Sequence, residues 1–386
     1  MANIFDYIKW RGDLSFTQDP VNAVDALIFS ALSYIRYVAP AEVGPDAPVT
    51  LRKASSDYFI QDSLDNKYRV KSDMDLLRAA AESNRFGLTK LCMYREQFIP
   101  EQETQFAAMT FLLDDGTMFL AFRGTDSTLI GWKEDFNMAF QQTVPSQLMA
   151  VEYVREVAAE YALPMRLGGH SKGGNVAVFA SARSSPMVQQ RILEVYNNDG
   201  PGFTKYLMGD PGYLAMVPRI KTYIPQSSVI GMLLEHEEPY TVISSKSVGL
   251  LQHDPYSWEV MANGLIPMEG ITESSQFLDT TIKTWFSNMT NQERGKLVDA
   301  MFELLGTGDV DKAMDIFHPK NLHIYLKTLS GDENMRKILS TEFQSLMEAT
   351  RKARAKLEGG KTPPDLPREE DSVTENGPDW ERPLLP

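Results

Sequence analysis

Cysteine is almost absent from this chain of 386 residues, which contains only Cys92. A single cysteine cannot form an intramolecular disulfide, and it excludes a zinc site built from several thiolates. Cys92 stands in the apolar run Leu91–Tyr94. We therefore expect it to be a small, buried hydrophobic residue. No other feature of the sequence favours a metal or an organic cofactor, and none is predicted.

Long apolar runs and an excess of basic charge are also missing. No segment approaches the roughly 18 uninterrupted apolar residues of a membrane span. The opening residues Met1–Tyr7 carry an early charge and no apolar signal core. The chain has 52 acidic and 38 basic residues, a formal net charge of −14 at pH 7, which argues against nucleic acid as a partner. We predict a cytoplasmic protein without a transmembrane segment.

The remaining composition is that of a globular domain, and its periodicity predicts a fold class. Hydrophobic residues make up 43% and charged residues 23% of the chain. Helical spacing occurs at 19–37, 73–82 and 147–161, a hairpin with an Asp-Asp-Gly turn at 105–122, and strands at 192–197, 220–224 and 241–245. Strands that alternate with helices of this length predict an α/β fold with a mostly parallel sheet flanked by helices.

The most informative segment is Gly169–Gly173, which reads Gly-His-Ser-Lys-Gly and has the spacing of a nucleophile elbow. A short apolar run, Met165–Leu167, precedes it, and the small-residue segment Gly174–Ala182 follows with helical character. A strand that turns sharply into a helix lifts the serine hydroxyl to the edge of the sheet. We predict Ser171 as a nucleophile, with the backbone N–H of Lys172 facing an oxyanion.

A serine nucleophile needs a base, usually histidine. The chain has five: His170, His236, His253, His318 and His323. His253 follows the last predicted strand, where a loop can reach the elbow, so it is the predicted base. His236 precedes that strand within the acidic segment Glu235–Glu238, interpreted as a solvated turn. The side chain of His170 is expected to point away from the hydroxyl, and the two later histidines are expected to be structural.

The acid that orients the base is less well defined. Asp199 ends the strand at 192–197, beside the serine strand, and can reach a histidine at the same edge of the sheet. Its Asp-Gly sequence is also typical of a turn. Asp254 competes because it adjoins His253, although adjacent side chains usually diverge. A Ser–His dyad steadied by Ser228 is the third alternative. Asp199 is the predicted acid.

A second oxyanion donor is expected in the segment Leu120–Thr125. The strand is predicted to end at Phe122, and Gly124 permits a tight bend. Thr125 can then offer its N–H and its hydroxyl to the oxyanion.

These residues carry a resemblance to a known family. Phe122–Thr125, followed by Trp132 and Asp135 and then by Gly169–Gly174, resembles the pattern of class 3 lipases. In those lipases the residue after Arg-Gly serves the oxyanion, and the tryptophan and the aspartate support its loop. The resemblance implies that Thr125 is the oxyanion donor beside Lys172.

A closer likeness is to a bacterial family of lipase-like proteins that is described only as a domain of unknown function. The blocks that resemble it are Tyr7–Phe16, Asn198–Phe203, Pro225–Leu233 and Gln252–Pro255. The likeness implies an α/β-hydrolase fold. The chain departs from class 3 lipases in one respect, because their acid follows the penultimate strand, where Ser227 and Ser228 stand here. Either the acid is Asp199 or the triad is incomplete.

The domain organisation follows from these elements. We predict an α/β-hydrolase-like domain with an N-terminal helical elaboration over residues 1–265, and a helical appendage over 266–358. Helical segments are expected at 277–289, 293–305, 309–317 and 333–356. A Pro- and acid-rich tail at 359–386 is predicted to be disordered. The appendage is a candidate surface for a protein partner.

The leading functional hypothesis is a serine esterase or lipase that cleaves a carboxylic ester, with a lipid or another small-molecule acyl ester as substrate. The alternative is an inactive hydrolase fold that serves as a binding or scaffold protein. An acyltransferase with the same triad is a third, lesser alternative.

Overall fold

The computed structural model describes residues 2–37, 47–60, 70–126, 128–308 and 318–359. The helices are α1 Ile4–Arg11, α2 Ala23–Leu32, α3 Leu51–Ile60, α4 Lys71–Glu82, α5 Asn84–Gly87, α6 Leu129–Asn137, α7 Pro145–Glu160, α8 Lys172–Arg183, α9 Pro186–Gln189, α10 Pro211–Met216, α11 Glu273–Ser287, α12 Asn291–Gly306, α13 Pro319–Gly331 and α14 Glu333–Gly359. The strands are β1 Val49–Thr50, β2 Lys90–Ile99, β3 Thr104–Leu112, β4 Met118–Phe122, β5 Met165–His170, β6 Ile192–Asn198, β7 Ile220–Pro225, β8 Tyr240–Ile243, β9 Val260–Met261 and β10 Gly264–Leu265. Short 3₁₀ helices lie at Pro100–Gln102, Val217–Arg219, Gly249–His253 and Pro255–Ser257.

Eight strands form one sheet in their order along the chain, from β1 to β8. The three pairs among β1–β4 are antiparallel, and the four pairs among β4–β8 are parallel. The predicted hairpin is confirmed, since β3 and β4 pair with Leu112 opposite Met118. The parallel half places the carboxyl ends of β4, β5, β6 and β7 at one edge. The predicted α/β fold with a mostly parallel sheet is confirmed.

Helices cover both faces of this sheet. On one face α2 is capped by Asn22, whose side chain accepts from two N–H groups of the first turn, and nine of its ten residues are buried. The opposite face carries α7 and α8, which form a second hydrophobic core with the sheet. A strand that is covered on both faces must be apolar along its length, as every residue of β4 is.

The helix predictions hold with shifted ends. Helix α2 is shorter than the predicted 19–37 because Asn22 caps it. In the C-terminal part α11, α12 and α14 match three predicted helices, and the predicted helix at 309–317 lies outside the described residues, as does 360–386. Strand β2 and helix α13 were not predicted. Within the described ranges, no helix has the length and apolar character needed to traverse a bilayer.

Candidate active site

The chain forms a sharp elbow between β5 and α8, with Ser171 at its apex. Ser171 has φ 58° and ψ −134°, a backbone conformation that non-glycine residues rarely adopt. Its N–H donates to the carbonyl of Asn198 at 2.9 Å, which fixes the turn to the next strand. A methyl group on Gly173 would lie 2.1 Å from the Phe122 carbonyl oxygen, so only glycine lets the helix approach β4 this closely. Ser171 thus lies at a sharp turn between the end of β5 and the start of α8.

Asp199 and His253, 54 residues apart in the chain, meet beside this elbow. The Nδ1 atom of His253 lies 2.6 Å from Oδ2 of Asp199. The carboxyl group is almost fully buried, whereas the imidazole is about one-third exposed. Since the carboxylate accepts at Nδ1, the imidazole carries its proton there and keeps Nε2 as the basic nitrogen. Asp254 instead accepts from the Tyr256 N–H at 3.2 Å and caps a 3₁₀ helix.

The Asp199 carboxylate is held by the loop that follows β7. The Ser228 hydroxyl donates to Oδ1 of Asp199 at 2.5 Å, and the Gly231 N–H donates to the same oxygen at 3.2 Å. Asp199 has φ 55°, a second left-handed backbone at this edge of the sheet. Ser228 and Gly231, from the loop after β7, therefore both bind the carboxylate that follows the preceding strand, β6.

His170 lies between α2's C-terminal segment and the candidate base. Its Nε2 lies 2.8 Å from the carbonyl oxygen of His253, and its Nδ1 lies 3.0 Å from the Tyr34 hydroxyl. Because a carbonyl can only accept, Nε2 carries the proton and Nδ1 accepts from the tyrosine. The rings of His170 and His253 are 4.6 Å apart. The contact between His170 and His253 was not predicted from the sequence. The only sequence signal for it is that His170 adjoins Ser171.

The loop after β4 brings Thr125 to the same place. A methyl group on Gly124 would lie 2.4 Å from the His170 carbonyl oxygen and 3.2 Å from Cβ of Ser171. The loop therefore packs directly against the elbow. The Thr125 hydroxyl donates to the Asp135 carboxylate, with its Oγ1 at 2.7 and 2.6 Å from the two oxygens. The hydroxyl is thus committed, and the backbone N–H of Thr125 is the group left for an oxyanion.

Arg123, the residue before Gly124, ties this loop to neighbouring elements through its side chain. Its guanidinium is buried and donates to the Ser33 carbonyl at 2.8 Å, to Glu96 at 2.6 Å and to the Tyr94 hydroxyl at 2.9 Å. These partners belong to the segment after α2 and to β2. Because β2 was not predicted, Glu96 was not anticipated as a partner.

A buried ion pair joins the start of α8 to α6 on the other side of the loop after β4. Nζ of Lys172 donates to Glu134 at 2.7 Å and to the Gln105 carbonyl at 2.8 Å. Both charged side chains are excluded from solvent. Glu134 also accepts from the N–H groups of Gln105 and Ser146 at 3.1 and 3.0 Å. The side chain of Lys172 thus joins the start of α8 to α6, while its backbone N–H stays at the elbow.

The Asp135 carboxyl group, which holds Thr125, has an altered acidity. Removal from water raises its pKa to about 6, although the nearby Lys172 charge and the Thr125 hydrogen bond lower it. Trp132, the other residue that the class 3 lipase resemblance implied as a support for the loop, is 36% exposed.

Four polar groups at this edge have no hydrogen-bond partner within the described part of the chain. They are Oγ of Ser171, Nε2 of His253 and the backbone N–H groups of Lys172 and Thr125. Over the same residues, no hydrogen bond joins Ser171 directly to His253. Active sites often close this contact only when substrate is bound. A hydroxyl, a basic nitrogen and two amide donors are the set that acyl transfer requires.

The other histidines lie elsewhere, and one interpretation needs correction. The segment Glu235–Glu238 is only partly solvated, because Glu235 and Glu237 are exposed but Glu238 is 3% exposed. Nδ1 of His236 lies 3.1 Å from Glu238, and its Nε2 lies 2.9 Å from the Gly231 carbonyl. Burial raises the pKa of Glu238, but its bonds to His236 and to two hydroxyl groups lower it below the ordinary value. His318 caps α13, and His323 is an exposed residue of the same helix.

Among the described residues, no group of three or more histidine, cysteine, aspartate or glutamate side chains is arranged to hold a metal ion.

The fold is of the α/β-hydrolase type, with a mostly parallel sheet flanked by helices. The family model described as Mbeg1-like matches residues 80–303, more than half of the chain, and the chain belongs to the Mbeg1-like family. The predicted resemblance to a lipase-like family is confirmed at this level. A search of curated protein sequences gives no match.

Several solved lipase structures are similar to parts of this chain. M37 lipase is 11% identical over 53% of this chain and 68% of its own, with a TM-score of 0.34. A Rhizomucor miehei lipase propeptide complex is 13% identical over 50% of this chain and 66% of its own, with a TM-score of 0.31. A fungal lipase is 13% identical over 64% of this chain and 84% of its own, with a TM-score of 0.37. Similarity at this level carries no information on residue roles or substrate.

Proposed function

We propose that this chain is a serine hydrolase that cleaves a carboxylic ester, with a lipid or another small acyl ester as substrate. One observation carries the proposal: the 2.6 Å contact between Asp199 and His253 lies beside a serine held in the strained elbow conformation. These three residues come from the carboxyl ends of two strands and from a loop far along the chain. A fold used only for binding has no need of this pairing.

In the proposed reaction, Ser171 forms the new bond to the acyl carbon. As its oxygen attacks, its proton passes to Nε2 of His253, and Asp199 stabilises the imidazolium that results. The carbonyl oxygen of the ester becomes an oxyanion that accepts from the N–H groups of Lys172 and Thr125. The imidazolium then gives its proton to the alcohol oxygen as the ester bond breaks. Water repeats these steps on the acyl-enzyme and releases the acid.

The tertiary contacts support this assignment over a scaffold role. A missing acid after β7 and the long helical appendage favour a scaffold, but Asp199 supplies a carboxylate beside His253. Ser228 and Gly231 hold that carboxylate through their hydrogen bonds. The negative charge of Asp199, which would stabilise an imidazolium on His253, is therefore held in a buried position.

Labelling with a fluorophosphonate probe tests the proposal. The folded protein is expected to react and the heat-denatured protein is not, and Ser171→Ala should abolish both labelling and hydrolysis of a short p-nitrophenyl ester. His253→Ala should reduce turnover about as severely as Ser171→Ala, because triad members act as a unit. His323→Ala, an exposed helical residue, is the matched control and should retain activity. A folded protein that neither reacts nor hydrolyses esters would favour the scaffold role.

A further inference from the structure

A cavity of about 700 Å³ lies between the hydrolase fold and the C-terminal helices. One wall comes from Ala139, Phe140 and Gln142, which follow α6, and another from residues 203–206, which follow the Asp199 turn. Helices α11 and α12 close the third side with Ile282, Phe286 and Arg294. Neither Ser171 nor the His253–Asp199 pair lines it. The volume lies within the roughly 300–1,000 Å³ that small-molecule sites occupy.

Much of the lining is apolar, and it comes from both parts of the molecule. Phe140 and Phe203 face it from the hydrolase fold, and Ile282 and Phe286 face it from α11. An elongated hydrocarbon chain would bury surface against all four side chains. The cavity therefore suits a ligand with an apolar body.

The charged groups of the lining are mostly cationic, although the chain as a whole carries −14. They are Lys205, Lys283 and Arg294, against the single carboxylate of Glu235 among the described lining residues. Lys283 pairs with Asp279 at 3.2 Å, but neither Lys205 nor Arg294 forms an ion pair within the described ranges. Among the described residues, these two positive charges thus have no carboxylate partner beside the apolar surface.

The guanidinium of Arg294 has unused capacity as a donor. It donates to the Phe286 carbonyl from Nε and Nη2, at 3.1 and 2.5 Å, and to the Ala139 carbonyl from Nη1 at 3.0 Å. Arginine has five N–H groups, so two are left for a ligand. Partial burial lowers the pKa of Arg294, since no carboxylate offsets the loss of water. An anion in the cavity would supply that missing charge.

We propose that this cavity binds a single-chain anionic amphiphile of the long-chain carboxylate class. Its carboxylate would lie at Arg294 and Lys205, and its hydrocarbon chain would lie along Phe140, Phe203 and Phe286. The charge and the apolar lining select this class over a neutral or cationic amphiphile of equal length. The proposal does not depend on esterase activity, because no residue of the candidate active site lines the cavity.

Calorimetric titration of the full chain with decanoate, 1-decanol and decyltrimethylammonium tests this inference. Decanoate is expected to bind roughly tenfold or more tightly than the other two. Lys205→Glu should weaken decanoate binding by a similar factor, whereas Lys90→Glu, the same charge change at an exposed residue of β2, should not. Ile282→Trp should reduce binding by filling the cavity. Ser171→Ala should bind decanoate as the wild type does.

Only the full pattern supports the site. Absence of decanoate binding, equal binding of the cationic amphiphile, or equal effects of Lys205→Glu and Lys90→Glu would overturn the proposal. If Ser171→Ala protein binds decanoate and the wild type hydrolyses no ester, the cavity assignment stands and the proposed esterase function fails.

Discussion

The hydroxyl of Ser228 donates a hydrogen bond of 2.5 Å to the carboxylate of Asp199. In class 3 lipases, which the sequence resembles, the acid follows the penultimate strand, and in this chain that region carries Ser228. In the proposed mechanism Asp199, at the end of β6, takes that role, and the Ser228 hydroxyl supports its carboxylate. The pair thus brings together a carboxylate from one strand end and a hydrogen-bond donor from the next.

Substitution of the acid is expected to separate its role from that of its neighbour. Asp199→Asn keeps an oxygen for Ser228 and Gly231 but removes the charge beside His253. We expect turnover to fall roughly a hundredfold to ten-thousandfold with little change in Tm. Asp254→Asn, which alters a 3₁₀-helix cap and not the contact to Nδ1 of His253, should leave turnover near wild type. Wild-type turnover in both variants would leave a Ser–His dyad and remove Asp199 from the mechanism.

Loss of the supporting hydroxyl should have a smaller effect. Ser228→Ala removes one of the donors to Asp199 and leaves the carboxylate in place. We expect kcat/KM for a short p-nitrophenyl ester to fall roughly tenfold, mostly through kcat. Ser227→Ala is the matched control, since the Ser227 hydroxyl contacts Thr272 at 3.3 Å and not the acid. Equal losses in the two variants would contradict a positioning role for Ser228.

Asp135 predicts a pH dependence of stability. Its pKa rises from an ordinary 3.8 to about 6 in the folded protein, so the folded state binds the proton more tightly than the unfolded state. The stabilising contribution is complete below the unfolded value and is lost as the pH rises through about 6. Asp135→Asn cannot ionise. The Tm of the variant minus that of the wild type should therefore increase by a few degrees between pH 4 and pH 7.

Thermal unfolding of both proteins across this pH range measures the difference, and groups that titrate in both proteins cancel. A difference that stays flat over the range would show that the Asp135 carboxyl group has an ordinary acidity in the fold.

The buried pair of Lys172 and Glu134 is expected to matter more for stability than an exposed one. Glu134→Gln removes the ion-pair partner of the buried Lys172 ammonium group, which should cost about 3–5 kcal/mol of the free energy of unfolding. Glu156→Gln, at a partly exposed pair with Arg95, should cost about 0–1 kcal/mol. Urea unfolding measures both. Equal costs would indicate that water reaches Lys172 in the folded protein.

The sequence by itself determined the local features of this protein. The Gly-x-Ser-x-Gly spacing of the elbow, the Asp-Gly hairpin and the helical periodicities depend on neighbours within a few residues. All of these were predicted with ends shifted by a few positions. The position of His253 after β8 followed from chain order, which parallel sheets translate into a common edge.

Only the tertiary structure decided which distant side chains meet. The sequence left Asp199 and Asp254 as alternatives for the partner of His253. Asp199, 54 residues away in the chain, contacts Nδ1 of His253, whereas the adjacent Asp254 does not. The contacts of Ser228, His170 and Glu134 were equally beyond the sequence, because each joins elements that are separated along the chain. Hydrogen bonds of this kind depend on how strands and helices pack together. The hydrophobic periodicity of the sequence predicts the elements but not their packing.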